Sequence, residues 1–273
     1  MKNSNLLTTE KVAPSVHSAL YWTLADTLVL AKRQLMRIPR VPDELVTATL
    51  QPILFVVLFR YVFGGAIAVR GTSYINYLVA GILVQSVILG SAFTGIGVAT
   101  DLQRGLVDRF RSLPMAKSAV LTGRTLADLI RSTFIILVVW AVGLLVGFRP
   151  EGTILNWLAA MGLLLLSSFM FSWFSALLGL VLSSVEAVQQ SFVIWALPLM
   201  FASSALVPTS TMPDWLRTFA EHQPVSLIIN AVRGLVLNQP DGTATWQAIA
   251  WCVGLLVVFI PLAVWAYGRR TAR

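Results

Sequence analysis

Residues 155–182 of this chain read LNWLAAMGLLLLSSFMFSWFSALLGLVL, a segment without a single charged side chain. A helix needs about 20 mostly apolar residues to cross the roughly 30 Å hydrocarbon core of a bilayer. The segment exceeds that length, and its serines are typical of contacts between packed membrane helices. It therefore predicts a transmembrane helix in a membrane protein.

Five further segments meet the same criterion, so we predict an all-α, polytopic membrane protein with six transmembrane helices. The predicted spans are approximately 44–63, 74–98, 125–147, 155–182, 188–206 and 248–267. Pro52 lies inside the first span and Pro198 inside the fifth. These spans form one transmembrane domain, residues 44–268, between a cytoplasmic N-terminal segment, 1–43, and a cytoplasmic tail, 269–273.

The composition excludes the main soluble classes of protein. Of the 273 residues, 57% are hydrophobic and 12% are charged, whereas a soluble domain has about 25% charged residues. The many apolar residues also exclude a disordered chain. The net charge of +8 would favour nucleic-acid binding only if the basic residues clustered on one face of a soluble fold. We therefore expect no nucleic-acid partner. The single cysteine, Cys252, cannot form a disulfide within the chain.

The distribution of basic residues orients the predicted spans. Lysine and arginine concentrate in 1–43, 101–124 and 269–273, whereas the connections on the opposite side carry only Arg70, Arg149, Arg217 and Arg233. Because cytoplasmic loops carry the excess of positive charge, we predict that both termini and the second loop are cytoplasmic. Residues 1–43 lack the apolar core and cleavage site of a signal peptide, so we expect no cleaved leader.

Residues 16–38 show the pattern of an amphipathic helix. Its apolar positions recur at helical spacing at Leu20, Leu24, Leu28, Ala31 and Leu35. Asp26, Arg33 and Arg37 fall on the opposite face, so the helix is predicted to lie in the cytoplasmic interface, against membrane lipid. Two interpretations remain open, a plain surface anchor and an elbow helix that transmits movement into the first span.

A second cytoplasmic segment, residues 101–114, reads DLQRGLVDRFRSLP. In a helix, Arg104, Asp108 and Arg111 share one face, and Phe110 lies on an apolar face. A short charged helix with an apolar anchor suits docking to a soluble partner. The alternative is a solvated loop whose basic residues only reflect its cytoplasmic location. The excess of basic residues in cytoplasmic loops does not, however, explain the acidic Asp108.

The third non-spanning segment, residues 207–247, is predicted to be external and is too long for a simple connection. Prolines interrupt it, and its apolar stretch at 225–237 is too short to cross a membrane. We therefore predict re-entrant or interfacial helices over the external mouth. Arg233 either caps a helix or reaches the interface, or it contacts a substrate.

Sequence motifs for several kinds of chemistry are absent. No glycine is followed by lysine, so the chain has no phosphate-binding loop for ATP. The two histidines, His17 and His222, are predicted on opposite sides of the membrane, which argues against a histidine metal site. No serine occurs in a Gly-x-Ser-x-Gly motif. We expect no cofactor on this chain, and a membrane-embedded enzyme would lack its catalytic groups.

Charged residues that could couple transport to an ion gradient are scarce in the spans. Asp128 and Arg131 are i,i+3 neighbours at the inner end of the third span and can pair with each other. The polar residues that we assign to a substrate pathway are Gln85, Ser86 and Gln189. The energy for transport is therefore expected to come from outside the chain.

With these features the chain resembles the membrane subunit of type-2 ABC exporters, close to the daunorubicin-resistance permeases. The most specific similarity is in residues 101–123, with Arg104-Gly105, Asp108, Arg111-Ser112-Leu113-Pro114 and Gly123. A second one comprises Pro213-Asp214-Trp215, the HQPVS sequence at 222–226 and the AVRG sequence at 231–234. The chain has Asp101 and Asp108 where many relatives carry glutamate.

The resemblance implies a permease that pairs with a second copy or a paralogue, each docked on a separate ABC ATPase that binds ATP and magnesium. Residues 101–114 would be the coupling helix. Its residues at the ATPase would be Asp101, Arg104, Gly105, Asp108, Phe110, Arg111 and Pro114. A path would open between the second and fifth spans, and the external segment would gate release with Trp215, Pro224 and Arg233.

The sequence thus predicts the permease subunit of an ATP-driven exporter in the bacterial plasma (inner) membrane. An apolar pathway with scattered serine and glutamine suits an amphipathic drug-like molecule or a lipid as substrate. The chain itself is not expected to be an enzyme. The alternative is an ion-coupled or passive six-span carrier, which would transport its substrate without any ATPase.

Overall fold

The computed structural model describes residues 42–67, 69, 71–104, 117–182, 184–239 and 241–270, and these contain helices but no strand. Five longer helices come first: α1 (Pro42–Leu58, extended by a π-helical turn at Phe59–Phe63), α2 (Tyr74–Gln103), α3 (Lys117–Leu145), α4 (Ile154–Val181) and α5 (Val185–Phe201). After a short turn of 3-10 helix at Thr209–Thr211 follow α6 (Asp214–His222), α7 (Pro224–Val236) and α8 (Gly242–Arg270). The all-α prediction is confirmed for this part of the chain. The predicted elbow helix at 16–38 lies outside it.

Four helices are long and apolar enough to cross a membrane. They are Tyr74–Gln103, Leu121–Leu145 within α3, Ile154–Val181 and Gly242–Arg270, and they match the predicted second, third, fourth and sixth spans. The chain is therefore a multi-pass membrane protein. Helices α1 and α5 occupy the predicted first and fifth spans but are shorter, so the six-span arrangement stays a prediction.

Helix α2 ends later than predicted, at Gln103, and α3 begins earlier, at Lys117. Two other boundaries differ from the predicted spans for local reasons. Helix α5 ends at Phe201 rather than continuing to 206, because residues 202–206 turn to pack beside α2 and α7. Helix α8 begins at Gly242 rather than at 248. The Asp241 carboxylate accepts hydrogen bonds from the backbone N–H groups of Thr243 at 2.9 Å and Ala244 at 3.3 Å, which is how an N-cap residue starts a helix.

Helix α2 lies at the centre of the bundle. Every side chain from Tyr74 to Ile88 is buried, because α3, α4, α5 and α7 pack around this helix. A helix enclosed on all sides is apolar around its whole circumference, as α2 is. In α8, by contrast, only 17% of the apolar span is buried, and Val257 and Trp265 are exposed. This exposed apolar face is the surface that suits contact with lipid.

Small residues allow α2 and α4 to approach closely. The backbone N–H of Gly95 donates to Ser175 Oγ at 3.1 Å, and a Cβ atom at Gly179 would overlap the Gly95 carbonyl oxygen. Such small-residue contacts are typical of packed membrane helices. Helix α8 closes the other side of α4, where the fully buried Cys252 has its Sγ 3.6 Å from Ser167 Oγ.

The two short helices predicted between the fifth and sixth spans are present as α6 and α7. Each begins next to a proline: Pro213 precedes α6, and Pro224 is the first residue of α7, a position that needs no backbone N–H. Helix α6 is amphipathic and exposes Trp215, whereas α7 is mostly buried against α2, α4 and α8. Their re-entrant or interfacial position stays a prediction.

Candidate functional site

An ion pair joins α2 and α3 at the ends nearest the predicted coupling helix. The guanidinium of Arg124 donates to the carboxylate of Asp101, and both side chains are largely buried. The guanidinium also fills the space where a Cβ atom of residue 97 would lie, so Gly97 is required for this contact. Asp101 and Arg124 therefore tie together the two helices that the predicted coupling segment connects.

Most of the predicted ATPase-contact residues lie outside the described residues, namely Gly105, Asp108, Phe110, Arg111 and Pro114. Two of the set are described. Arg104 is exposed directly after α2, where its backbone N–H donates to the Thr100 carbonyl oxygen at 3.0 Å. Asp101 is instead committed to Arg124 within the chain, a pairing that the sequence analysis did not foresee.

Arg270 caps α4 near the same end of the bundle. From the last turn of α8, its guanidinium donates to the carbonyl oxygens of Leu180 and Val181 at 3.0 Å, and of Leu182 at 3.2 Å. The last carbonyls of a helix have no partner within the helix, and a basic side chain also complements the helix dipole. The basic residues at 269–273 indicated only the orientation of the membrane spans, so this contact was not predicted.

A buried polar cluster connects α2, α3 and α4. The predicted pairing of Asp128 with Arg131 is confirmed, and Asp128 also accepts a hydrogen bond from Ser172 of α4. Arg131 in turn donates to the Gly90 carbonyl oxygen of α2, with its Cζ 4.8 Å from the centre of the Phe93 ring. The two opposite charges compensate each other, so the cluster holds three helices together without a net charge.

Of the three predicted pathway residues, two lie together and one lies apart. Gln85 and Ser86 line a cavity of about 50 Å³ between α1 and α2. Gln189 lies exposed on α5 and is not part of that lining. The Ser86 hydroxyl donates to the Ile82 carbonyl oxygen at 2.6 Å, whereas neither amide atom of Gln85 has a hydrogen-bond partner in the described part of the chain.

A second, larger cavity of about 200 Å³ lies between α4, α5 and α8 and is wholly apolar. Aromatic residues of these three helices line it, including Phe174, Phe192, Trp195 and Phe259. A cavity of about 150 Å³ with an apolar lining is large enough for a benzene ring. Pro224 of the predicted external gate lines this cavity from the start of α7.

Arg233 connects three segments near the other end of α2. Its guanidinium donates to the Tyr77 carbonyl oxygen at 3.2 Å, to Asn230 Oδ1 at 2.9 Å and to the Ser204 carbonyl oxygen at 2.6 Å. Its Cζ also lies 3.6 Å from the centre of the Tyr77 ring, a cation–π contact. The partly buried Arg233 therefore binds oxygens of three segments, and Trp215, which is 76% exposed, is not among its described partners.

Gln223 performs a comparable role that the sequence analysis missed. The side chain is 5% exposed, and its Nε2 donates to the Leu199 carbonyl oxygen at 2.8 Å and to the Ala202 carbonyl oxygen at 2.9 Å. These oxygens need an outside partner because α5 ends there. The polar residue directly before Pro224, beside an apolar helix, was the available signal.

The outer surface of α6 carries the remaining described ion pair. Arg217 Nε donates to Glu221 Oε1 at 2.7 Å, and both side chains are exposed. The hydrogen bond from Arg217 lowers the pKa of the Glu221 carboxyl. In the part of the chain that the structure describes, no group of three histidine, cysteine or acidic residues could hold a metal ion.

Comparisons with known proteins agree with this architecture. The family described as ABC-2 type transporter matches residues 25–237. The daunorubicin resistance ABC transporter permease protein DrrB1 of Streptomyces coeruleorubidus is 35% identical over 253 residues, which cover 91% of this chain and 88% of the relative.

Two mycobacterial proteins are also similar. The "Probable doxorubicin resistance ABC transporter permease protein DrrC" of Mycobacterium tuberculosis is 30% identical over 259 residues, covering 92% of this chain and 91% of the relative. The doxorubicin resistance ABC transporter permease protein DrrB of the same species is 25% identical over 232 residues, covering 82% and 78%.

Proposed function

Because the chain belongs to the ABC-2 type transporter family, we propose that it is the permease subunit of an ATP-driven exporter in the bacterial plasma membrane. Its substrate would be an amphipathic drug-like molecule or a lipid. The observation that carries the proposal is the similarity to drug-resistance permeases over nine-tenths of the chain. A separate ABC ATPase would bind ATP and magnesium, and a second copy or a paralogue would complete the transporter.

In this proposal the segment 101–114 docks on the ATPase and moves when the ATPase binds ATP. The ion pair between Asp101 and Arg124 supports this role, because it joins the last turn of α2 to α3. A displacement of the segment would then move both helices together. The Arg270 contacts with the end of α4 would extend that movement to α8.

In the proposed topology the protein crosses the membrane six times, with both termini in the cytoplasm. Helices α1 and α5 would be the two spans in addition to the four long apolar helices. The predicted excess of basic residues in 1–43, 101–124 and 269–273 supports this orientation. Residues 207–247 would lie outside and would control release of the substrate.

The test is co-purification followed by transport. The tagged chain, extracted from its native membrane in mild detergent, should bring with it a stoichiometric ATPase with a phosphate-binding loop. Asp108→Arg should remove the ATPase and abolish ATP-dependent export while leaving membrane insertion unchanged. The matched control is Asp214→Arg, the same charge reversal at an exposed position in the first turn of α6.

The outcomes separate the two candidate functions. A chain that is purified alone, under conditions in which another ABC complex survives, would contradict the proposal. Transport by the chain alone in proteoliposomes would favour the ion-coupled or passive carrier instead. An Asp108→Arg variant that retains its ATPase and its export activity would refute the assignment of 101–114 as the coupling segment.

A further inference from the structure

The cavity between α1 and α2 has an apolar wall and contains two glutamines. Gln51 comes from α1 and Gln85 from α2, and the rings of Phe55 and Phe93 lie in the same lining. The two amides come from facing helices but no hydrogen bond joins them within the described chain. The cavity therefore has hydrogen-bonding groups within an otherwise mainly apolar lining.

Gln85 is the unusual member of this lining. Its side chain is 2% exposed, and neither Nε2 nor Oε1 has a hydrogen-bond partner among the described residues. A buried polar group without a partner is destabilising, and most buried polar side chains in proteins are satisfied. Because the described residues supply no partner for this amide, a molecule that enters the cavity can supply one.

The surroundings of Gln85 restrict the charge of such a molecule. Among the side chains that the structure describes, none that lines the cavity is charged. Arg131, which contacts the lining residue Gly90 by donating to its carbonyl oxygen, is itself paired with Asp128. A charged group in the cavity would thus lack a counter-charge, which is costly at low dielectric. An uncharged group that offers a donor and an acceptor would match the carboxamide of Gln85.

The size of the cavity restricts the rest of the molecule. A water molecule occupies about 30 Å³ of liquid volume, so a cavity of about 50 Å³ admits only a few non-hydrogen atoms. The remainder of the molecule must extend out of the cavity, past lining side chains that are mainly apolar, such as Phe55 and Leu89. A small polar head on an apolar body fits this shape.

We propose that this cavity binds the uncharged hydrogen-bonding head of an amphipathic molecule, with the amide of Gln85 as its principal partner. The head carries a donor and an acceptor, as in a primary amide. Gln51, at the exposed side of the cavity, contacts the head as it enters. The assignment of this molecule as a transported substrate rests on the proposed export function, whereas the binding itself does not.

The test uses photolabelling of the full-length chain in phosphatidylcholine nanodiscs without ATP. The probe is dodecanamide with a diazirine on its third carbon, and modified residues are mapped by mass spectrometry. We expect modification within residues 48–55 and 82–93. Unlabelled dodecanamide should compete about tenfold better than methyl dodecanoate, which has the acceptor but no donor, since one hydrogen bond is worth about a factor of ten.

Two variants and a control show whether the glutamines are responsible. Gln85→Leu should lower labelling at these residues about tenfold, and Gln51→Leu should lower it less. Gln51 is exposed on α1, so its replacement tests the cavity even if Gln85→Leu impairs folding. Gln190→Leu is the matched control, because Gln190 is also exposed, on α5, but lies outside the cavity.

Labelling that is unchanged in both Gln85→Leu and Gln51→Leu, or equal competition by the ester, would overturn the inference. The cavity would then hold water or lipid chains without recognising a head group. Because no ATP or ATPase is present, a failed export test does not alter this result. Conversely, if export persists but the cavity remains unlabelled, the binding of a head group in the cavity is contradicted and the export function is not.

Discussion

The two ends of α2 are held to their neighbours by different chemistry. At the Gln103 end, the carboxylate of Asp101 meets the guanidinium of Arg124, and a cation is matched by an anion. At the Tyr74 end, Arg233 is held by carbonyl oxygens, an amide oxygen and a ring, with no salt bridge within the described residues. In the first contact, either side chain can leave its partner and pair with a charge on another protein. The second contact depends mainly on oxygens that are fixed in the backbone.

This difference suggests separate roles for the two ends. An ion pair of side chains can open and re-form when a charged partner approaches, so it suits the end proposed to face the ATPase. A cation bonded to backbone oxygens of two segments fixes their relative position, because those oxygens cannot rotate away. The Arg233 end therefore serves as the rigid side, and its removal should have the larger effect on stability.

Arg233→Leu is expected to have the largest effect. It removes three charge-assisted hydrogen bonds, to Tyr77, Asn230 and Ser204, which should lower the free energy of unfolding by about 3 kcal/mol. Thermal unfolding in detergent measures this loss. Arg233→Lys should recover only part of it, because an ammonium lacks the planar set of donors. A loss no larger than that of the exposed control Arg217→Leu would contradict the rigid role.

The Asp101–Arg124 pair should show an intermediate effect that depends on charge pairing. Asp101→Asn and Arg124→Gln should each destabilise the chain, with a coupling energy of about 1 to 2 kcal/mol in a double-mutant cycle. The reciprocal exchange, Asp101→Arg with Arg124→Asp, should restore part of the stability. Additive effects of the two single variants, without coupling, would argue that the ion pair does not join the helices.

Gln223→Ala extends the comparison to the short helices. The variant leaves two carbonyl oxygens at the end of α5 without their partner, and we expect a loss of about 1 kcal/mol. Limited proteolysis should show faster cleavage between 202 and 213 if this contact holds the turn. Gln189→Ala, at an exposed position on the same helix α5, should leave the cleavage rate unchanged.

The smallest effect is expected at the exposed pair on α6. Arg217 lowers the pKa of the Glu221 carboxyl, so the folded state binds this proton less readily than the unfolded state. The stabilisation is then present above the pKa of unfolded glutamate and is lost as the pH falls through the lowered value. The stability difference between Glu221→Gln and the unchanged chain should therefore shrink on acidification. A difference that is constant between pH 7 and pH 3 would contradict this.

The long helices could be predicted from the sequence because apolar length is a local property. Helix α4 carries no charge over its whole length, and α8 differs from its prediction only in where it begins. The start of α8 depends on Asp241, whose carboxylate caps the helix at a site that hydropathy does not register. The pairing of Asp128 with Arg131 was also predictable, since i,i+3 spacing places both on one turn.

The rest of the candidate site depends on distant contacts that the sequence pattern does not contain. Nothing near Arg233 in the chain indicates that its partners are Tyr77 and Ser204. Asp101 was assigned to an external partner through the family resemblance, although Arg124, the residue it meets, lies on the following helix. Gln85 and Gln189 looked equivalent as isolated polar residues in apolar segments, but only Gln85 is enclosed by packing.

The buried position of Cys252 has a practical consequence for labelling experiments. A thiol that is fully enclosed between α8 and α4 should react slowly with a membrane-impermeant maleimide, since the thiolate must reach the reagent. It is also the single cysteine of the chain. New cysteines for spin labels or fluorophores can thus be introduced while Cys252 is kept. Pairs of labels at the ends of α2 could then follow transport without first replacing a native residue.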